Sequence, residues 1–174
     1  QPRIALLFTN IEQIVTLNED LLQRLSERLP QMPDGSECVG DIFAEFGPLF
    51  AIYAQYTANH ELAVQALKKL EGRVAYAETM RACETKCAAF LSSLQECSPP
   101  PLNAIGSYLI LPVQRVPRYR MLLQELRKRT DDSHEDVSSI DMAIEKISIS
   151  ATKINETIRQ REQQEELVRL EGKF

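Results

Sequence analysis

The sequence has no tryptophan, two histidines and six glycines among its 174 residues. Each shortage excludes something. Glycine supplies the positive-φ turns that a fold of many short strands needs, so long glycine-free spans favour helices. His60 and His134 stand in no zinc-like spacing with Cys38, Cys83, Cys87 or Cys97, which leaves a metal site without a ligand set. Cys83 and Cys87 are one helical turn apart, yet the four cysteines read as reduced thiols of a cytosolic protein. No apolar run approaches the ~20 residues of a membrane span, and no charged-then-apolar leader opens the chain. There is no glycine-rich phosphate loop, no GxSxG and no HExxH. No Ser/His/Asp pattern supports nucleophilic catalysis. A net charge of −5 argues against non-specific nucleic-acid binding. Together these absences point to an interaction protein that uses neither cofactor nor metal.

What is present fits one globular domain, with 44% apolar and 26% charged residues. Ile4, Leu7, Phe8, Ile11, Ile14, Val15, Leu21, Leu22, Leu25 and Leu29 recur at threes and fours, predicting a helix over 4–29 that Pro30 ends. Pro33-Asp34-Gly35 marks a turn within the loop 30–39. Asp41 can cap the next helix, about 42–58, which is interrupted at Gly47-Pro48 and apolar nearly all round. Asn59 is a candidate cap for a short helix 60–70, broken by Gly72. A further helix over 74–96 carries Val74, Ala77, Met80, Cys83 or Cys87, Phe90, Leu91 and Leu94 on one side. Ser98-Pro99-Pro100-Pro101 stops it.

The stretch 108–126 is unusual. It combines an apolar repeat with Pro112, Pro117, Arg115, Arg118 and Arg120, inside a helix expected at about 102–129. Each proline lacks an N–H and frees a carbonyl one turn earlier, so the helix should bend and present a surface. Arg120, Arg127, Lys128 and Arg129 read as surface cations whose stems cover core edges. Arg115 and Arg118, one turn apart and bracketing a proline, suit an acidic protein surface. After the loop 130–134, Asp132 or Ser133 can cap a final helix, with Glu135 and Asp136 in its first turn. Val137, Ile140, Ile144, Ile147, Ala151, Ile154 and Ile158 alternate spacings of three and four, a heptad seam that must lie lengthwise on a partner helix. At 1.5 Å per residue, 135–170 would span ~50 Å. The expected fold is therefore all-α, an elongated antiparallel helical bundle with a long C-terminal helix.

Leu111-Pro112-Val113-Gln114-Arg115-Val116-Pro117-Arg118-Tyr119, followed by Leu122-Leu123-x-Glu125-Leu126, resembles the signature helix of Dbl-homology (DH) domains. These are guanine-nucleotide exchange factors for Rho-family small GTPases. Leu7-Phe8-Thr9-Asn10-Ile11-Glu12-Gln13-Ile14 resembles the later half of the family's first signature. Gly40-Asp41-Ile42-Phe43, with Tyr53 and Tyr56, resembles the second. Lys153-Ile154-Asn155-Glu156 resembles the part of the last helix that carries the family's functional asparagine. The resemblance covers nearly the whole chain.

It implies an all-helical bundle that binds the GTPase switch regions, stabilises the nucleotide-free state and so replaces GDP by GTP without covalent chemistry. Carried over by position, Arg118 and Asn155 contact the GTPase. Gln114 and Arg115 take mainly structural and orienting roles, Glu156 adjoins the asparagine, and Ile110 is either a position that chooses among GTPases or a core residue. The implied partner is Rho, Rac or a related GTPase, with a pleckstrin-homology domain adjacent in the full-length protein and membrane recruitment through regions outside 1–174. The chain is expected to be one DH-like domain lacking the start of its first helix and the glutamate carried there, and to contain no pleckstrin-homology domain of its own. That missing glutamate motivates the alternative, a helical interaction scaffold with weak or no exchange activity.

Overall fold

The computed structural model describes residues 6–29, 38–93 and 105–171. Six α-helices occupy most of them: α1 (Ile11–Arg28), α2 (Gly40–Phe46), α3 (Tyr53–Glu71), α4 (Val74–Ser93), α5 (Ile105–Arg129) and α6 (Val137–Glu171). A 3-10 segment, Gly47–Ile52, joins α2 to α3, and residues 6–8 form one further helical turn. No strand occurs among the described residues. No helix among them is long and apolar enough to cross a membrane. The chain divides into two compact units, residues 1–9 with 59–111, and residues 10–58 with 112–174.

In the first unit, Leu7, Ala63, Leu67 and Leu109 form the core, and Phe8, Ala66, Leu70, Tyr76 and Ile105 pack around it. Periodicity predicts one helix over 4–29, but the chain breaks at Thr9, whose φ is 45°. That left-handed conformation is costly for a β-branched residue. It is held by Asn59, whose buried side-chain amide donates to the Leu6 carbonyl at 2.6 Å and to Thr9 Oγ1 at 2.8 Å. Asn59 is thus not a cap. It lies inside α3, which runs unbroken from Tyr53 to Glu71, so no separate helix starts at 60. Val74, expected on an apolar face, is 77% exposed. The side chains of Cys87, Phe90, Leu91 and Leu94 lie outside the described set, as do Cys97, the Pro33-Asp34-Gly35 turn and the triple proline.

The second unit is built around the segment 40–52. Its core joins Phe46, Phe50 and Tyr53 to Ile14 and Leu21 of α1, Val116 and Leu123 of α5, and Ala143, Ile147 and Ile154 of α6. The heptad seam is observed: Ile140, Ile147 and Ile154 are buried and Val137, Ile144, Ala151 and Ile158 half-buried. Two of the scarce glycines explain why α2 and the 3-10 segment lie so close on α6. A Cβ on Gly47 would stand 2.8 Å from Lys146 Cβ, and one on Gly40 would collide with the backbone of Ser139 and Ile140. The buried Ser150 hydroxyl fills the remaining polar need, donating to the Gly47 carbonyl at 2.7 Å.

Two expected caps are corrected. α2 begins at Gly40, and Asp41 does not cap it. The carboxylate of Asp136 does, accepting from Val39 N–H at 2.8 Å and from Gly40 N–H at 2.9 Å. α6 begins at Val137, so Glu135 and Asp136 precede its first turn and neither Asp132 nor Ser133 is its cap. In the loop, Asp131 accepts from the Ser133 N–H and hydroxyl, and His134 Nδ1 accepts from the Asp136 N–H.

Candidate functional site

α5 remains helical through both Pro112 and Pro117. Its neighbours supply what a lone helix would lack: Val116 and Leu123 are buried, and Val113 and Tyr119 pack against the same core. The spacing 113, 116, 119/120, 123 fixes which face is left outside. Gln114, Arg115, Pro117 and Arg118 are exposed, and so are Met121 and Leu122, one turn beyond Arg118. Large apolar side chains in water beside a cation mark a surface suited to association. On α6, Asn155 and Glu156 are exposed immediately after the buried Ile154.

The second-unit part of α5 is tied to α6 near the turn between them. Arg127 donates from Nε to Asp141 at 3.1 Å and from Nη2 to Asp132 at 2.7 Å. Counting back along both helices from this clasp, at 1.5 Å per residue, Arg118 lies ~14 Å and Asn155 ~21 Å away. Lys128 pairs with Glu125 at 2.7 Å, an exposed contact of little energetic weight. Ile110 is half-buried and belongs to the first unit, so it is not grouped with Arg118 and Asn155.

Arg115 has a different setting from Arg118. Its guanidinium carbon sits 5.4 Å from the centroid of the Tyr119 ring. That ring stacks on Phe50 at 5.2 Å and tilts against Phe43 at 5.7 Å. The Tyr119 hydroxyl donates to Asn18 Oδ1 at 2.9 Å. Asn18 in turn donates to the Tyr53 hydroxyl at 2.7 Å and to the Ile14 carbonyl at 2.6 Å. Burial raises the Tyr119 hydroxyl's pKa, and the charge on Arg115 opposes that rise only in part. Burial likewise raises Tyr53, against the hydrogen bond from Asn18. Both phenols therefore stay protonated at neutral pH. A cleft of about 240 Å³ opens here, lined by Val15, Glu19, Leu22, Arg115 and Tyr119 among others. Asn18 was legible only as a polar residue off the apolar stripe of α1, and Tyr119 only as the aromatic after Arg118. Nothing in their spacing joins them.

Among the described residues, no group of three or more His, Cys, Asp or Glu side chains is placed to hold a metal ion. The surface offers cations, amides and apolar side chains, groups suited to binding and orienting a partner.

A RhoGEF domain model matches residues 1–155. The chain belongs to the RhoGEF domain family. The chain is 32% identical over 172 residues to the mouse phosphatidylinositol 3,4,5-trisphosphate-dependent Rac exchanger 1 protein, covering 99% of this chain and 10% of that protein. To the Rac guanine nucleotide exchange factor JJ of Dictyostelium discoideum it is 30% identical over 164 residues, 94% of this chain and 13% of that one. This RhoGEF domain thus spans about a tenth of the length of the curated relatives it matches. In fold it matches the DH domain of FARP2 with a TM-score of 0.67 at 23% identity, covering 99% of this chain and 79% of that one. A Vav1 exchange-factor structure matches with a TM-score of 0.77 at 22% identity, covering 98% and 43%.

Proposed function

We propose that this RhoGEF domain is a guanine-nucleotide exchange factor for a Rho-family small GTPase, Rac or a related member. It binds the GTPase switch regions and stabilises the nucleotide-free state. GDP leaves, and the abundant GTP replaces it. The observation that carries the reading is the family match over residues 1–155. The names of the relatives, Rac exchangers among them, support the substrate class.

In this reading Arg118 on α5 and Asn155 on α6 contact the GTPase. Both are exposed side chains carried by helices of one packed unit. Met121 and Leu122 add exposed apolar area beside Arg118. Gln114, Arg115 and Glu156 border the contact. No covalent step is needed: a factor that prefers one state of its partner shifts the equilibrium by that difference in affinity. Exchange is faster because the nucleotide-free complex is stabilised. We place residues 1–174 within one DH domain, with a pleckstrin-homology domain adjacent in the full-length protein and membrane recruitment through such regions. The PH and C1 domains of the Vav1 exchange factor, a protein of the same fold, support that neighbour.

The test is a panel of purified Rho, Rac and related GTPases, each loaded with fluorescent GDP. The expected result is faster nucleotide release from at least one member as the chain is titrated in. Release at the intrinsic rate from every member overturns the proposal and leaves the interaction scaffold.

A further inference from the structure

We propose that Asn18 is a positioning residue that sets Arg115 for the GTPase by anchoring the Tyr119 hydroxyl, an inference that rests on the function proposed above. Asn18 is on α1, and Arg115 and Tyr119 are on α5. The amide makes all three of its short bonds within one unit: it accepts from Tyr119 at 2.9 Å and donates to Tyr53 at 2.7 Å and to the Ile14 carbonyl at 2.6 Å. An amide with both hydrogens and its oxygen engaged has one orientation, so the Tyr119 hydroxyl has a fixed acceptor. Phe50 stacks on the Tyr119 ring with 21° between the planes. The ring is therefore fixed at its tip by Asn18 and along its face by Phe50.

Arg115 rests on that fixed ring, 5.4 Å from its centroid. A guanidinium over an aromatic face is held by the ring quadrupole and loses rotamer freedom before any partner arrives. Pre-ordering an interface side chain lowers the entropic cost of association, and that gain appears in affinity for the partner. In this arrangement Asn18 acts through Tyr119. Without the anchor only Phe43 and Phe50 hold the ring, its tip loses its fixed position, and Arg115 loses a fixed platform while the Phe46, Phe50 and Ile147 core stays intact.

The experiment measures exchange against GTPase concentration for the full chain carrying Asn18→Ala, Tyr119→Phe, Arg115→Ala and the Asn18→Ala/Arg115→Ala pair. Tyr119→Phe keeps the ring and removes only the anchored hydroxyl, so it serves if Asn18→Ala fails to fold. Each of the first two should raise the half-saturating GTPase concentration roughly three- to tenfold, with maximal rate within twofold of the parent. On the Arg115→Ala background, Asn18→Ala should add nothing, because coupled residues are non-additive. A fall in maximal rate and helicity with half-saturation unmoved, or an undiminished Asn18 effect without Arg115, overturns the proposal. A second readout needs no GTPase. The ring current of Tyr119 should displace the Arg115 side-chain proton resonances, and Asn18→Ala should return them toward random-coil positions. Unmoved resonances overturn the positioning role. If the parent exchanges no GTPase, the functional reading fails on that result alone, and the resonances still decide whether Asn18 holds Arg115.

Discussion

Asp136 accepts the backbone N–H groups of Val39 and Gly40, so a residue just before the last helix caps a helix that begins almost a hundred positions earlier. The contact is buried, and Gly40 leaves no room for a side chain: a Cβ there would come within 2.7 Å of Asp136 Oδ1. Asp136→Ala leaves two helix-end donors unpaired and should destabilise the fold by about 2 kcal/mol. Gly40→Ala should cost about 1–3 kcal/mol through the clash. Because both act on one contact, the double variant should lose less than the sum. Urea unfolding followed by circular dichroism checks all three.

Beside that contact, Arg28 and Asp41 form an exposed ion pair at 3.0 Å. Burial alone would raise the Asp41 carboxyl's pKa. The Arg28 hydrogen bond and the Ile42 N–H outweigh it, and the net pKa lies below the ordinary 3.8. A carboxyl with a lowered folded-state pKa adds stability above its ordinary value and loses it as pH falls through the lowered one. The advantage of the parent over Asp41→Asn should therefore be full above about pH 5 and should vanish on acidification below the carboxylate range. Melting temperatures of the two proteins across pH 2–6 measure this, and parallel curves would contradict it.

Cys38 donates its thiol to Glu135 at 3.5 Å. Burial first, and then that hydrogen bond, push the thiol up to about 11 from an ordinary 9.0. At neutral pH it should hold roughly a hundredfold less thiolate than a free thiol. Its alkylation rate, followed by peptide mass spectrometry, should keep rising with pH to about 11. A plateau near pH 9 would contradict the assignment.

The α6 seam makes the plainest stability prediction. Ile147 is fully buried against Phe46 and Phe50, so Ile147→Ala should cost about 2–5 kcal/mol. The same residue shows what the sequence discloses. Ile140, Ile147 and Ile154 recur every seven residues, and period alone identifies the face they bury. The helical class, the last helix and the exposed side of Arg115 and Arg118 follow from such local pattern. Asn59, Asp136 and Asn18 do not. Each of them ties together segments separated in sequence, and a polar residue's distant partner leaves no trace in local spacing. Asn59 next to a plausible helix start reads as a cap because capping is the local use of an amide. Val15 and Leu22 fit the apolar period of α1 yet are 47% and 64% exposed. Periodicity reports a stripe wider than the neighbour that covers it.

Arg118 and Asn155 are proposed to form one GTPase-binding surface. The most direct measurement is nucleotide release from the most responsive GTPase of the panel, at fixed concentration, for the parent, Arg118→Ala and Asn155→Ala. Both side chains are exposed, so both variants should keep the parent's helicity and melting temperature. Each should lose roughly tenfold or more in exchange, ~1.4 kcal/mol of stabilisation of the nucleotide-free complex. Variants that exchange as fast as the parent, or that lose exchange only in step with loss of fold, would contradict the claim.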